Sequence, residues 1–172
     1  MNVVWQVDPR LDERLREEIV NLWHAASEAG GAVGFVPPVE RDAVAALARA
    51  TFAGIEDGED RLLVGHDEGR LIGLLFFASN RFHLKMHWRT LKRVMIHPET
   101  QGRGYGRALL AEAERVARAS GWEALHLTVR AGNGTERFYR LAGYKEVGRL
   151  PNAIRVAPGD SRDEIHMWLP LR

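Results

Sequence analysis

Hydrophobic and polar positions recur along this chain with two periods, and each change of period marks a predicted element. Residues 3–7 (VVWQV) are β-branched and aromatic and read as a strand stopped by Asp8-Pro9. From Asp12 onward Leu15, Ile19, Leu22, Trp23 and Ala26 recur at helical spacing between Glu13, Arg14, Arg16, Glu17 and Glu18. This predicts an amphipathic helix ending before Gly30-Gly31, with Trp23 in the core and His24 in solvent. Residues 40–52 repeat alanine, valine and leucine at Val44, Leu47 and Ala48, a second helix followed by a turn over 54–60. Residues 61–66 and 70–78 flank Asp67-Glu68-Gly69, a hairpin signal. The second of these strands, containing LIGLLFFA, is almost continuously apolar and belongs in the middle of a sheet covered on both faces.

Residues 79–89 (SNRFHLKMHWR) have no clean period and read as a loop or as the ragged start of the next strand. An apolar run from Leu91 ends at His97-Pro98, and a loop dense in glycine and arginine follows. A long helix then begins at about Tyr105, with an apolar stripe at Ala108, Leu109, Ala113, Val116 and Ala117 and a cap at Gly121. Residues 124–129 (ALHLTV) are a further strand, so 91–129 form a strand–helix–strand crossover with its two strands parallel. A short helix over 135–141 ends at Gly143-Tyr144. Residues 145–150 and 164–169 alternate as two closing antiparallel strands, with AIRVAPGDSRD between them as a polar loop. The predicted fold is an α/β domain with a mixed, mostly antiparallel sheet of about seven strands, flanked by helices and holding one central parallel pair.

With 172 residues and 45% hydrophobic content, the chain has enough apolar material for one domain over 1–172 and little room for a second. Lysine plus arginine (24) and aspartate plus glutamate (23) nearly cancel, leaving no overall field to draw nucleic acid or a membrane surface. Any anion site must therefore be local. The absence of cysteine removes disulfides, thiolate metal sites and a cysteine acyl-enzyme, so an acyl transfer would be direct. His83 and His87 stand four apart without a third ligand at standard spacing, and no metal is expected. The start, MNVVWQVDPRLDERL, lacks the apolar core of a signal peptide, and no window reaches the roughly 20 apolar residues of a membrane span. A cytoplasmic protein is expected.

The order strand, glycine-rich loop, helix start describes an anion cradle, because the first N–H groups of a helix are unpaired and carry the positive end of its dipole. The spacing excludes the Rossmann fingerprint and the P-loop. What stands after Met95-Ile96-His97-Pro98 is Gln101-Gly102-Arg103-Gly104-Tyr105-Gly106, a Q-x-x-G-x-G hexapeptide. It resembles the acetyl-CoA signature of the GNAT N-acetyltransferase superfamily. Phe138-Tyr139 followed by Gly143-Tyr144 is similar to the FYxxxGF-like pattern that follows the second parallel strand in that family.

The resemblance implies the GNAT fold, with the parallel strands splayed, and an acetyl-CoA-dependent N-acetyltransferase. It implies that the amides of Gln101, Gly102, Gly104, Tyr105 and Gly106 cradle the CoA pyrophosphate, that Arg103 and Arg107 add charge, and that backbone near Met95 and Ile96 pairs with the pantetheine arm. It also implies Tyr139 as the acid that protonates the departing thiolate; a phenol with an ordinary pKa near 10 keeps its proton at neutral pH. Where the family commonly has an asparagine seven residues before this tyrosine, the chain has Gly132, with Asn133 beside it. Asn133 is then either a cofactor contact or a turn residue. Family bases often project from the middle of the fourth strand, where Thr90, Leu91 and Lys92 offer neither carboxylate nor imidazole. His87, His97, Glu99 and His166 remain, beside proton loss through water.

The stretch HWRTLKRVMIHP, with the Gly-Asn turn before Phe138, most resembles members that acetylate small amines such as antibiotics, toxins, amino acids or polyamines. A small-molecule amine is therefore the expected partner, with a protein N-terminus or lysine, or a non-catalytic CoA-binding module, as alternatives. Residues 30–38 (GGAVGFVPP) and the segment between the last two strands would cover a pocket, with Phe35 either facing substrate or packing beneath. The chain is expected to act as a monomer or homodimer.

Overall fold

Every residue of β3 (Arg70–Ala78) after Arg70 is buried, and the layers build outward from this strand. β2 (Arg61–Asp67) joins it through Glu68-Gly69, whose φ angles of 51° and 78° give the left-handed turn that matches strand twist. β1 (Val3–Val7) pairs with β2, and β4 (Trp88–Ile96) with the other edge of β3. The computed structural model describes residues 2–172 and arranges seven strands in the order β1-β2-β3-β4-β5-β7-β6. Among them only β4 and β5 (Ala124–Arg130) are parallel; β7 (Asp160–Pro170) lies antiparallel between β5 and the edge strand β6 (Lys145–Ala157). The expected sheet is thus the observed one.

Two hydrophobic layers cover the sheet. On one face α1 (Glu13–Glu28) and α2 (Arg41–Glu56) bury Ile19, Trp23, Val44 and Phe52 against Leu62, Val64, Leu74 and Phe76. On the other, α3 (Tyr105–Ala119) and α4 (Thr135–Leu141) bury Leu109, Ala113, Val116 and Tyr139 against Leu63, Leu75, Leu125 and Met167. The alternation Leu62/Leu63/Val64 across β2 follows from the two-residue period of a strand. Each of these side chains contributes roughly 1.5–3 kcal/mol by leaving water. Asp12 starts α1 by accepting a hydrogen bond from the Leu15 amide at 2.9 Å.

Two irregularities shape the middle of the sheet. Leu74 pairs with Met95 but Phe76 with Lys92, so β4 spends one residue more than β3 over the same length, and Arg93 sits at φ 53° in the resulting bulge. The bulge reverses the phase of β4. Leu91 and Val94 both pack toward α3, while Arg93 and Met95 both turn toward α1. The β4–β5 ladder runs only from Trp88↔Ala124 to Thr90↔His126, and beyond it the two strands separate.

Two expectations are corrected, and one that had two alternatives is decided. The polar segment AIRVAPGDSRD is a hairpin and not a loop: β6 continues to Ala157, turns at Pro158-Gly159 and returns as β7 from Asp160. Its strands are mostly wet, so they carry no apolar alternation to betray them. Residues 79–89 are mainly a connection, with a 3₁₀ turn at His83–Lys85 before β4 begins at Trp88. His24 is half-buried, with its Nε2 2.9 Å from the Val39 carbonyl oxygen, rather than free in solvent.

Candidate active site

Where β4 and β5 separate, the sheet opens into three cavities with shared walls. A cavity of about 870 Å³ on the α3–α4 face is lined by Ile96, Gln101, Gly102, Gly104, Gly106, Arg107, Phe138 and Tyr139. A junction of about 170 Å³ lies in the gap, between Val94, Met95 and Ile96 on β4 and Thr128 and Val129 on β5, with Tyr139 again in its wall. A third cavity, about 370 Å³, lies on the α1–α2 face and shares Ala32 and Thr128 with the junction. It is lined by Gly34, Phe35 and Val36, by Thr90 to Arg93, by Arg130 and Glu164, and by Ile154 and Arg155 of β6. Both segments expected to cover a pocket do so. Phe35 meets both of its expectations, packing edge-on to Trp23 at 6.4 Å while lining the cavity.

The first cavity is an anion cradle with an apolar flank. Gly104 begins α3 at φ 87° and no side chain caps the helix, so the first amides of α3 are left for a ligand. Gly102, at φ 77°, has open space where a side chain would start. Gly106 brings α3 against α4 so closely that an added Cβ would stand 3.1 Å from the Phe138 ring. A phosphate ester with a long flexible arm fits this shape: anionic groups at the glycine loop, the arm along the edge of β4 that β5 leaves unpaired after Thr90.

Seven expected site residues meet here: Ile96, Gln101, Gly102, Gly104, Gly106, Arg107 and Tyr139. Four stand differently. The Met95 side chain is buried toward α1, though the residue borders the junction. Arg103 is exposed on the loop and does not line the cavity. The Tyr105 side chain turns away, donating its hydroxyl to Asp67, and this bond pushes the phenol pKa up. Asn133 is a turn residue in its contacts: its Oδ1 accepts from the Thr135 amide and hydroxyl at 3.2 and 2.6 Å, and it borders a separate small cavity with Arg162.

Tyr139 is almost wholly buried, and desolvation pushes its phenol pKa up, so it holds a proton at any physiological pH. Of the four candidate bases, Glu99 is held by Arg70 at 2.7 Å, and His97 lies beside the same guanidinium at the β3–β4 end. Neither these two nor His87 lines any of the three cavities. His166 belongs to a line of polar groups across β4, β5 and β7. Thr90 Oγ1 is 3.2 Å from His126 Nδ1, His126 Nε2 is 3.1 Å from His166 Nδ1, and His166 Nε2 is 3.3 Å from Glu164 Oε1. The carboxylate favours the proton on His166 Nε2, which leaves its Nδ1 to accept from His126 Nε2–H, and His126 Nδ1 to accept from Thr90 O–H. Burial, reinforced by His166, holds the His126 pKa down at about 4, so this imidazole is neutral at pH 7. Both ends of the line, Thr90 and Glu164, open into the third cavity. In the sequence His126 is one polar residue in an apolar strand, and its partners are 36 and 40 residues away.

A sheet split at a parallel pair, with an anion cradle on one face, a cavity rich in cationic side chains on the other and a buried phenol between them, has room for two ligands that meet at the split. Residues 17–144 match the acetyltransferase (GNAT) family, and the chain belongs to that family. It is accordingly an acetyl-CoA-dependent N-acetyltransferase. Solved structures repeat the fold over the whole length. An N-acetyltransferase from Staphylococcus aureus Mu50 is 16% identical over 100% of both chains, with a TM-score of 0.80. A putative acetyltransferase from Salmonella typhimurium, solved with its cofactor acetyl-CoA, is 22% identical over 100% of this chain and 95% of that one, TM-score 0.77. A ribosomal-protein-alanine N-acetyltransferase from Brucella melitensis is 22% identical over 99% of each, TM-score 0.77. No helix among the described residues is long and apolar enough to cross a membrane.

Proposed function

We propose that this enzyme acetylates a primary amine of a small molecule by direct transfer, with both substrates bound at once. One observation carries the reading: the cavities on opposite faces of the sheet share walls at the β4–β5 gap, so a ligand from each face can meet its partner there. The acceptor-side cavity is bounded by residues of the 30–38 loop and of β6, a shape suited to a small molecule more than to an extended peptide.

Acetyl-CoA supplies a thioester carbonyl carbon whose C–S bond breaks as a C–N bond forms to the acceptor. Gln101, Gly102, Gly104, Gly106 and Arg107 bind its phosphates through backbone amides, the α3 dipole and one guanidinium. The unpaired edge of β4 at Val94, Met95 and Ile96 orients the arm and offers amide donors where carbonyl charge develops. Tyr139 gives its proton to the departing sulfur and regains one from solvent once the thiol has left. The amine's proton goes to Thr90 as the Thr90 proton passes to His126 Nδ1; His126 passes its Nε2 proton to His166, and His166 passes its own to Glu164. Thr90, His126 and His166 thus each give up one proton and receive one, and the Glu164 carboxylate ends protonated before releasing that proton to solvent.

Thiol release from acetyl-CoA across a panel of amines and peptides tests the reading. Release with free amines is expected. Release with peptides alone would move the acceptor to proteins, and no release with any amine, despite CoA binding, would overturn acetyl transfer at this site.

A further inference from the structure

The acceptor-side cavity carries four cationic side chains, Lys92, Arg93, Arg130 and Arg155, against the single carboxylate of Glu164. None of the four side chains has an ion-pair or hydrogen-bond partner among the described residues. Arginines just outside behave differently. Arg149 pairs with Glu146 and Asp163, Arg162 with Asp160, and Arg140 with Glu146. Carboxylates are thus supplied to the hairpin around the cavity and withheld from the arginines lining it.

Arg93 is the most constrained of the four. The β4 bulge turns it inward, its guanidinium lies over the Trp23 ring at 5.2 Å, and Gly34 packs against it so closely that an added Cβ would stand 3.0 Å from its Cζ. Gly34 has φ 108°, a conformation that side chains rarely adopt, so the loop holds glycine against the guanidinium. Burial without a counter-ion weakens the hold of Arg93 on its proton. A planar, pre-oriented, partly desolvated guanidinium without a carboxylate is a site for a ligand oxyanion, which it can bind through two parallel N–H bonds.

We infer that the acceptor is an amine that carries its own acid group, of the size of an amino acid or aminophosphonate, with the oxyanion on Arg93 and the amino group on the Thr90–Glu164 side. The inference rests on the reading of this cavity as the acceptor site. The charges match such a zwitterion at both ends: Arg93, Arg130, Arg155 and Lys92 face the acid, and the one carboxylate faces the amine. A polyamine would instead bring further positive charge among four cations.

The experiment compares the twenty free amino acids and 2-aminoethylphosphonate with the corresponding amino acid amides and with spermidine. Thiol release from acetyl-CoA is followed alongside calorimetric binding of the same amines in the presence of CoA. At least one free acid is expected to exceed its amide in kcat/KM by roughly tenfold or more, the value of a charge-assisted bidentate contact. That preference should collapse in Arg93→Gln and shrink in Arg130→Gln, which keeps the test open if the first variant folds poorly. The inference is overturned if amides or spermidine are used as well as the acids, or if both variants keep the preference. Arg93-dependent binding of an acid without thiol release would support the anion site while overturning acetyl transfer to its occupant. Turnover confined to spermidine or peptides would do the reverse.

Discussion

His126 sits where burial and a second imidazole push in the same direction, against the packed pair of Trp88 and Trp168 rings and 3.1 Å from His166. Its pKa falls from 6.5 unfolded to about 4 folded, so above pH 6.5 both states are neutral there and the fold keeps its full stability. As pH drops from 6.5 toward 4 the unfolded chain takes up a proton that the folded one refuses, and stability is lost. Discounted for partial solvent screening, the loss is about 2 kcal/mol. Urea unfolding between pH 8 and 4 should show this decline, and a His126→Gln protein should show less of it. The same variant interrupts the proposed proton path and should lower kcat by roughly a hundredfold, the low end of the usual range for general acid–base groups, with the acetyl-CoA KM little changed. Tyr139→Phe should lower kcat similarly, read as thiol release, while CoA affinity holds. These two residues also mark what a sequence can and cannot disclose. Tyr139 announced itself through a local pattern, Phe138-Tyr139 before Gly143-Tyr144. His126 and Arg93 acquire their meaning from a pairing across three strands and from a one-residue bulge, neither of which leaves a trace in local spacing.

Among the elements, α3 was the plainest to read, since its stripe, its start and its glycine stop all lie within one stretch. Gly104 is the position on which its start depends. Alanine there must adopt φ 87°, at a cost of about 1 kcal/mol, and any relaxation turns the first amides of the helix out of the cradle. Gly104→Ala should therefore raise the KM for acetyl-CoA several-fold, measured by initial rates at saturating acceptor, and leave kcat nearly intact. The β6–β7 hairpin was the hardest to read. Strands that bury neither face need no hydrophobic alternation, so AIRVAPGDSRD presents the polarity of a loop with the backbone of a ladder. Its place over the pocket, where Ile154 and Arg155 line the wall, was expected all the same; the strand pairing that holds them there was not legible.

For the whole molecule, the sheet order and the single parallel pair were accessible because helix and strand periods are clean from Val3 to Ala78 and from Leu91 to Val129 and the one crossover is long enough to hold a helix. The separation of β4 from β5 followed only from family likeness, because nothing in either strand's composition says where a ladder stops. Stability should be graded across the sheet. Amide hydrogen exchange is expected to be slowest in β2 and β3, covered on both faces, and fastest beyond Leu150 in β6, where one edge and most side chains are exposed. The gap has a kinetic consequence as well. Each substrate has its own mouth, on its own face of the sheet, so neither need wait for the other to enter or leave. Initial-rate plots at several fixed acceptor concentrations should intersect rather than run parallel. CoA should compete with acetyl-CoA and not with the amine, and either product should be able to leave first.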